Sequence, residues 1–116
     1  MASLNMKGPF HLSEGEIDKQ VTEKGPGNFA LAYKDGDGYL RVCYIGRSDS
    51  DVNSQLKHWV GKTRRPYFKY SYASSPQAAF EKECNSYHDF SPSDNNSHPA
   101  RPASTNWKCP RCAVLG

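Results

Sequence analysis

The stretch NFALAYKDGDGYLRVCYIG, residues 28–46, limits what this chain can fold into more than any other segment. Apolar side chains alternate with other residues on each side of DGDG, which is the pattern of half-buried strands. The two glycines of DGDG tolerate the positive φ angles that a tight turn requires. The stretch therefore predicts an antiparallel β-hairpin. Its apolar sides would consist of Phe29, Leu31 and Tyr33 on the first strand and of Leu40, Val42 and Tyr44 on the second.

A short helix is predicted before the hairpin. Ser13 and Glu16 have the three-residue spacing of a capping box, in which the two side chains satisfy free backbone N–H groups of the first turn. The motif predicts a helix over about 13–23, and the following KGPG ends it because proline and glycine do not continue a helix. Residues 1–12 show no periodicity, and we expect them to be mobile.

A second helix and a third strand are predicted after the hairpin. Asp49 or Asp51 can cap a helix over about 51–60. The inner face of that helix would consist of Val52, Leu56, Trp59 and Val60. YFKYSYA, which begins at Tyr67, alternates as a strand does, so only one of its two sides can face the core. We expect the core side to be Phe68, Tyr70 and Tyr72 rather than Tyr67, Lys69 and Ser71.

The last predicted helix begins at Ser75, which is a good N-cap, and Pro76 suits its first position. After Phe90 the chain is rich in Ser, Pro, Asn and Asp, and no periodicity returns. The element order predicts an α+β fold, a small three-stranded antiparallel sheet flanked by helices with a loop-rich tail. The predicted divisions are an N-terminal segment with a short helix (1–24), a central domain (25–90) and a C-terminal tail (91–116).

Positive charge is concentrated in the middle of the chain. Between Val52 and Phe80 there is no aspartate or glutamate, although the formal net charge of the whole chain is only +3. A basic block of this kind is typical of surfaces that bind polyanions such as nucleic acid, and it also occurs as a solvated face without a partner. The basic residues of the block are Lys57, Lys62, Arg64, Arg65 and Lys69.

Length and hydropathy narrow the class of protein. The 116 residues fit one domain with a modest core. No apolar run approaches the ~20 residues of a membrane-spanning helix, and no secretory signal is visible. We therefore expect an intracellular, soluble protein without a membrane partner. Its four cysteines should be thiols or metal ligands rather than disulfides, with Cys43 a buried packing thiol.

The C-terminal tail contains a metal-binding pattern. Cys109 and Cys112 form CPRC, whose two-residue spacing suits tetrahedral zinc. Cys84 and His88 are four residues apart on the last predicted helix, so both face one side of it. The combined pattern predicts a structural zinc site that fastens the tail to this helix and helps a small core. His98 is an alternative ligand in place of His88.

Several of these segments together resemble the GIY-YIG nuclease domain. The resemblance rests on GNF at 27–29, on YIG at 44–46, on the helix that follows YIG, and on AAFEKE with Glu83 on the last helix. It covers about residues 25–90. It implies a central three-stranded antiparallel sheet flanked by helices, and cleavage of phosphodiester bonds with one divalent metal ion.

The resemblance also implies roles for single residues. Tyr44 matches the second of the two tyrosines of the family, and Glu83 matches its metal-binding glutamate. Arg47 stands where the family often has a basic residue. Two positions depart from the pattern, because Phe29 at the first tyrosine position has no hydroxyl and Gln55 at the position of the helix arginine has no charge. These departures put catalytic activity in question.

Elementary chemistry gives three of these residues a task. Phosphodiester hydrolysis develops negative charge on the phosphoryl and leaving oxygens, which a cation must meet. Glu83 would hold Mg²⁺, Tyr44 would orient or deprotonate the attacking water, and Arg47 would grip the phosphate through two hydrogen bonds. Simpler interpretations remain open, since Tyr44 suits a core position, Glu83 an exposed helix face and Arg47 a charged loop.

Three functions are compatible with the sequence. The first is a Mg²⁺-dependent, endonuclease-like protein that acts on nucleic acid, with DNA favoured over RNA. Its candidate catalytic residues are Tyr44, Arg47, Gln55 and Glu83. The second is a nucleic-acid-binding module whose catalytic set has decayed, as Phe29 and Gln55 indicate. The third is a zinc-stabilised domain that binds another protein and whose basic face is incidental.

Overall fold

The structure, a computed structural model, describes residues 4–95, 98–102 and 104–112. Within these ranges it contains one four-stranded antiparallel sheet, in the order β1-β4-β2-β3, and three helices. The elements in chain order are β1 (Lys7–His11), α1 (Glu14–Gln20), β2 (Gly27–Lys34), β3 (Leu40–Ser48), α2 (Val52–Trp59), β4 (Tyr67–Tyr72) and α3 (Pro76–Phe90). The predicted α+β class is confirmed, but the sheet has one strand more than expected.

The additional strand lies within residues 1–12, which show no periodicity in the sequence and which we expect to be mobile. β1 lies there and pairs antiparallel with β4. Its only half-buried residue is Phe10, whose ring centroid lies 5.5 Å from that of Phe68, and its other four residues are exposed. One buried side chain cannot produce the alternation by which a strand is identified in a sequence. The N-terminal segment thus belongs to the same sheet as the rest of the chain.

The predicted hairpin is present, with one irregularity. Leu31 of β2 lies opposite Tyr44 of β3, but the next residue, Ala32, lies opposite Val42, so Cys43 is an extra residue in β3. Such a bulge interrupts the regular alternation of side chains. Tyr44 therefore packs on the side of α2 and Val42 on the opposite side, which corrects the prediction that they share one side. Cys43 is a buried free thiol, as predicted.

Helices cover both faces of the sheet. α1 and α2 pack on one face, where Ile17 of α1 contacts a cluster that includes Phe29 and Phe68. α3 packs on the other face across β2 and β3, over Ile45. Phe68 and Tyr70 are buried on the α1–α2 face, which confirms the predicted core side of β4. None of the described helices is long and apolar enough to cross a lipid bilayer.

The predicted helix starts are confirmed by their capping hydrogen bonds. The Ser13 hydroxyl accepts from the backbone N–H of Glu16, and the Ser75 hydroxyl accepts from that of Ala78. At α2 the cap is Asp51, whose carboxylate accepts from the N–H of Asn53. These bonds satisfy backbone donors that have no partner inside the helix. The hairpin and the start of each helix are thus fixed by local sequence.

Gly46, the glycine of YIG, has a steric explanation. A β-carbon at this position would lie 2.4 Å from Cζ of Phe29, far inside van der Waals contact. The Phe29 ring is fully buried and stacks on Tyr44 with ring centroids 5.9 Å apart. Gly46 therefore makes room for the ring that supports Tyr44. Phe29 is a core residue, and its ring has no hydroxyl that could donate or accept a proton.

Candidate site at the sheet edge and an adjoining metal centre

The free edge of β3 is covered by the C-terminal tail. β3 ends the sheet on one side, so its outward N–H and C=O groups have no neighbouring strand. The Asn95 side chain supplies both partners at Ile45, since its Oδ1 accepts from the backbone N–H at 2.9 Å and its Nδ2 donates to the carbonyl at 3.0 Å. The backbone N–H of Asp94 donates to the carbonyl of Cys43 at 2.7 Å. The tail thus takes the place of a fifth strand.

Arg65 fastens the same segment to the loop before β4. Its guanidinium donates to both carboxylate oxygens of Asp94, at 2.8 and 2.9 Å. The hydrogen bond from Arg65 lowers the pKa of Asp94, more than burial raises it. Arg65 also lies over the ring of Tyr33, 5.4 Å from its centroid. One of the five predicted nucleic-acid-binding cations is therefore engaged in holding the tail.

A cavity of about 330 Å³ opens between the tail and the sheet edge. Tyr44 and Glu83 both line it, although one extends from the α2 face of β3 and the other comes from α3 on the opposite face. The two side chains meet around the edge of the strand. The described residues that line the cavity are Tyr44, Trp59, Glu83, Asp94, Asn95, His98, Pro99 and Ala100.

Two groups in this cavity have shifted acidity. Burial raises the pKa of the Tyr44 hydroxyl, and the nearby Glu83 carboxylate raises it further. Tyr44 thus remains a neutral phenol that can donate or accept a hydrogen bond. Burial also raises the pKa of Glu83, which is only 8% exposed, while Arg47 acts in the opposite direction. The Glu83 charge thus reaches the Tyr44 hydroxyl, which places the two groups in one electrostatic environment.

Arg47 is bound to carboxylates on both sides. Its Nη1 donates to Oε1 of Glu83 at 2.5 Å, and its Nε donates to Oδ1 of Asp49 at 2.9 Å. Its guanidinium lies over the ring of Phe80, 5.2 Å from the centroid. Arg47 is not among the described residues that line the cavity. In this structure Arg47 binds the Glu83 carboxylate without lining the cavity. The sequence instead predicts that Arg47 binds a phosphate.

The structure does not bring Gln55 to this site. Gln55 lies on α2 and is half-buried, and it is absent from the described lining of the cavity. A different residue of α2, Trp59, forms the wall there, with its ring centroid 4.7 Å from that of Tyr44. Its indole Nε1 is buried and has no hydrogen-bond partner among the described residues. The sequence predicts Trp59 as a core residue and gives no sign of a cavity beside it.

The remaining basic residues do not form one uniform surface. Lys57 donates to Asp18 of α1 at 2.7 Å, so its charge is largely balanced there. Lys62 lies 3.5 Å from the ring of His58, Arg64 is exposed, and Lys69 is half-buried on β4. Arg64 and Lys62, in the loop between α2 and β4, are thus the exposed cations of the predicted block.

A second constellation adjoins the cavity. His88, His98, Cys109 and Cys112 are brought together so that one ligand atom of each lies within 4.8 Å of the others. Cys109 Sγ lies 3.4 Å from His88 Nε2, and Cys112 Sγ lies 3.3 Å from His98 Nε2. The two sulfur atoms are 3.7 Å apart. A cluster of two imidazoles and two thiols at these distances could hold a metal ion.

His98 belongs to both constellations. Its Nδ1 lies 2.9 Å from the carbonyl oxygen of Pro99, and since a carbonyl only accepts, Nδ1 carries the proton. Nε2 is then free of a proton and directs its lone pair at the cluster. This arrangement is usual for histidine ligands, whose other nitrogen is held by an outer partner. The same side chain lines the cavity that contains Tyr44 and Glu83.

Cys84 requires a correction. It was grouped by spacing with His88, Cys109 and Cys112, but the structure places His98 in the cluster together with His88, and Cys84 outside it. Cys84 is fully buried on α3 behind Cys109, where burial and then the hydrogen bond to Cys109 raise its pKa. It thus stays a thiol that donates to Cys109. Helical spacing puts Cys84 and His88 on one side of α3 but does not show which is nearer the core.

Cys109 has a lowered pKa, in contrast to Cys84. Burial acts to raise its pKa, but hydrogen bonds, of which the one from the backbone N–H of Arg111 has the largest effect, lower it to about 6. A thiol of this acidity is a thiolate near neutral pH, which is the form that binds metals. Arg111 also ties the CPRC turn to α3, since its Nη1 donates to Asp89 at 2.6 Å.

Three residues of the site had no signal in the sequence. Asp94 and Asn95 dock the tail, and Asp49 orients Arg47. Asp94 and Asn95 occur in a stretch whose composition is that of any polar loop, and their partners lie 29 and 50 positions away. Asp49 was considered only as a helix cap. Local spacing cannot reveal contacts of this kind, because they form only after the sheet does.

Comparisons with known proteins add no assignment. No family model matches the chain, and no curated protein or solved structure matches it either. The likeness to the GIY-YIG domain therefore remains a prediction from the quoted residues.

Proposed function

We propose that this protein binds nucleic acid at the β3 edge and hydrolyses a phosphodiester bond there with one Mg²⁺ ion. The observation that supports the proposal best is the shared cavity of Tyr44 and Glu83, which are 39 positions apart and extend from opposite faces of the sheet. A phenol and a carboxylate around one open space are suited to orient water and to hold a cation.

The residues fit a weakly held Mg²⁺ ion. Mg²⁺ commonly uses one or two carboxylates and takes its other ligands from water and substrate phosphates. Glu83 offers one carboxylate to the cavity, and Arg47 favours its charged form against burial. When bound, Mg²⁺ would stabilise negative charge on the phosphoryl oxygens. Of the two carboxylates that line the cavity, Asp94 is bound to both Arg65 nitrogens and Glu83 is paired with Arg47, so the site should bind the ion mainly together with the substrate.

The other side chains then have definite tasks. Tyr44, as a neutral phenol, would accept a hydrogen bond from the attacking water and orient it toward phosphorus. Arg47, held by Asp49, would keep Glu83 ionised and in place. Phe29 supports the Tyr44 ring and takes no part in proton transfer.

We also propose that the His/Cys cluster binds structural zinc. Tetrahedral zinc with Zn–S bonds of about 2.3 Å and Zn–N bonds of about 2.05 Å requires S···S and S···N distances of about 3.8 and 3.6 Å. The S···S distance is 3.7 Å, Cys109 Sγ lies 3.4 Å from His88 Nε2 and Cys112 Sγ lies 3.3 Å from His98 Nε2, and all four ligand atoms lie within 4.8 Å of one another. A set of two histidines and two cysteines leaves no open position for a substrate, which is typical of structural sites. Elemental analysis should find one zinc per chain.

A cleavage assay tests the catalytic proposal. Supercoiled plasmid and labelled oligonucleotides would be incubated with zinc-loaded protein and Mg²⁺ or Mn²⁺. We expect Glu83→Gln to lower the cleavage rate by about 100-fold or more, because it removes the charge that holds the cation. Tyr44→Phe should cause a loss of about 100-fold, because it removes a group that handles a proton. Glu81→Gln is the matched control, since Glu81 lies on α3 but lines a different cavity.

Two results would contradict the proposal. If Glu83→Gln cleaved as fast as the wild type, the activity would not depend on this site. If no nucleic acid were cleaved while binding persisted, the second function would apply.

That second function is binding of nucleic acid without hydrolysis. It is favoured by the ion pair between Glu83 and Arg47, which occupies the carboxylate in the absence of a ligand, and by Phe29 in place of a tyrosine. Binding through phosphate contacts weakens steeply with salt. Lys62→Ala and Arg64→Ala should each reduce the salt slope by about one, whereas Lys19→Ala on α1 should not change it.

A further inference from the structure

We infer that the β3-edge cavity takes one unpaired nucleotide, so the ligand class is single-stranded nucleic acid or an unpaired end rather than continuous duplex. The inference rests on the proposed function. It adds the substrate class, which the resemblance to a nuclease domain does not supply. Three features of the cavity carry it: its size, its aromatic wall and the balance of its charges.

The size is the first feature. The cavity has a volume of about 330 Å³, near the lower end of the range of about 300–1,000 Å³ for small-ligand sites. The tail forms one wall and the sheet edge with α3 forms the other. A base inside a duplex is paired and stacked, and it must leave the helix to enter a site of this kind. An unpaired nucleotide enters without that cost.

The tail wall is fixed by polar contacts. The Asn95 side chain is hydrogen-bonded to the backbone N–H and C=O of Ile45. Two nitrogens of Arg65 donate to the carboxylate of Asp94. His98, farther along the same wall, belongs to the His/Cys cluster. A wall anchored by these contacts keeps its position, so a ligand must adapt to the cavity. A single strand has a flexible backbone and adapts more readily than a duplex does.

The aromatic wall is the second feature. Tyr44 and Trp59 line the cavity with ring centroids 4.7 Å apart and ring planes inclined by 50°. Rings in such a wall offer a surface on which a base can stack, and proteins that bind single strands use stacking of this kind. Inside a continuous duplex, both faces of each base are already covered by stacking on its neighbours. The sequence predicts both residues at core positions. Their exposure to the cavity is therefore a result of the fold and is not visible in the sequence.

The charge balance is the third feature. The two carboxylates that line the cavity, Glu83 and Asp94, are each paired with an arginine, Arg47 and Arg65 respectively. The cavity therefore carries little net charge, which suits a base and sugar better than a row of phosphates. The exposed cations Lys62 and Arg64 lie outside it, on the loop between α2 and β4, where they can hold the adjoining backbone.

Tryptophan fluorescence tests the inference at the cavity itself. The chain has two tryptophans, and Trp107→Phe leaves Trp59 as the only one. Trp107 packs on Phe80 and is not among the described lining residues, and its replacement keeps an aromatic ring. The zinc-loaded variant would be titrated, without Mg²⁺, with an oligothymidylate and with a blunt-ended duplex that contains the same total number of nucleotides. Anisotropy of labelled strands would measure binding in parallel.

We expect saturable quenching of Trp59 by the oligothymidylate and at least tenfold weaker binding of the duplex at the same salt concentration. Duplex binding as tight as single-strand binding would overturn the inference and leave the proposed function standing. Single-strand binding by anisotropy without any change in Trp59 would also overturn it, because the ligand would then lie elsewhere. If neither probe bound by anisotropy, the proposed function itself would fail.

Discussion

The two edges of the sheet are protected in different ways. β1 forms one edge with four exposed residues, and it includes Pro9, which has no N–H to offer another strand. β3 forms the other edge, where the tail binds Ile45 through Asn95. Unpaired edges invite association with other strands, and proteins block them by composition or by a covering segment. Here the chain uses composition at one edge and a segment at the other.

The difference has a functional consequence. Protection by composition is local and needs no other part of the molecule. The cover on β3 is bound by Arg65 and adjoins the His/Cys cluster that could hold a metal ion, and it also builds a wall of the cavity beside Tyr44 and Glu83. The proposed site therefore lies at the edge that is protected by the tail and not by the composition of the strand itself. The following predictions test whether the two edges respond as differently as this comparison requires.

Loss of the metal should have the largest effect. His88→Ala, or a strong chelator, removes the link between the tail and α3. Structural zinc typically contributes many kcal/mol of binding free energy, so we expect the free energy of unfolding to fall by about 4 kcal/mol or more and the melting temperature by more than about 10 °C. Hydrogen exchange should accelerate at the Ile45 amide before it does in β4.

The control for this prediction is His11→Ala on the other edge. His11 is exposed on β1, and we expect its replacement to change stability by less than about 0.5 kcal/mol and to leave exchange at Ile45 unchanged. Purified protein without zinc, together with a melting curve that the chelator does not alter, would exclude the metal centre. Equal acceleration at both edges would show that the cover on β3 does not depend on it.

Asn95→Ala should have an intermediate effect. The substitution removes two hydrogen bonds and leaves the N–H and C=O of Ile45 without partners from the tail. We expect a loss of about 1–3 kcal/mol in the free energy of unfolding, measured in urea, and faster exchange of the Ile45 amide with zinc still bound. Asn106→Ala is the control, because Asn106 lies exposed elsewhere in the tail. A change of equal size in both variants would contradict the role of Asn95.

The comparison also explains what the sequence can predict. The hairpin, the helix caps and the CPRC turn depend on residues within a few positions of each other, and their patterns identify them. β1 is not predicted, because an edge strand with one half-buried residue shows no alternation of apolar and polar side chains. The prediction that Val42 and Tyr44 lie on the same side of the sheet is wrong, because one bulge at Cys43 interrupts the alternation of side chains.

The candidate site is predicted only in part for the same reason. Tyr44 and Glu83 are identified through the motif, and both line one cavity in the structure. The exchange of Cys84 for His98 and the docking of Asn95 depend on where the tail lies after folding. The resemblance puts Gln55 at the position of the helix arginine, but Trp59 rather than Gln55 is the residue of α2 that lines the cavity. Contacts between distant segments decide these positions, and spacing along the chain does not encode them.

The smallest expected effects concern pH, where two carboxylates at the β3 edge should act in opposite directions. Asp94 has a lowered pKa because of the hydrogen bond from Arg65, and Glu83 has a raised pKa because burial outweighs Arg47. A lowered pKa contributes stability above the ordinary carboxyl pKa, and that contribution is lost as the pH falls. A raised pKa contributes stability below the ordinary value, and that contribution is lost as the pH rises through the raised pKa.

Urea unfolding of the wild type, Asp94→Asn and Glu83→Gln from about pH 3 to pH 8 measures both signs. The advantage of wild type over Asp94→Asn should shrink toward acid, and its advantage over Glu83→Gln should shrink toward neutral pH. Protonation of the metal ligands affects all three proteins alike, so it largely cancels in the differences. Parallel curves for the two variants would show that Glu83 is not held in a desolvated pocket at the strand edge. Glu83 would then behave like an exposed carboxylate, and the two edges would differ in cover but not in chemistry.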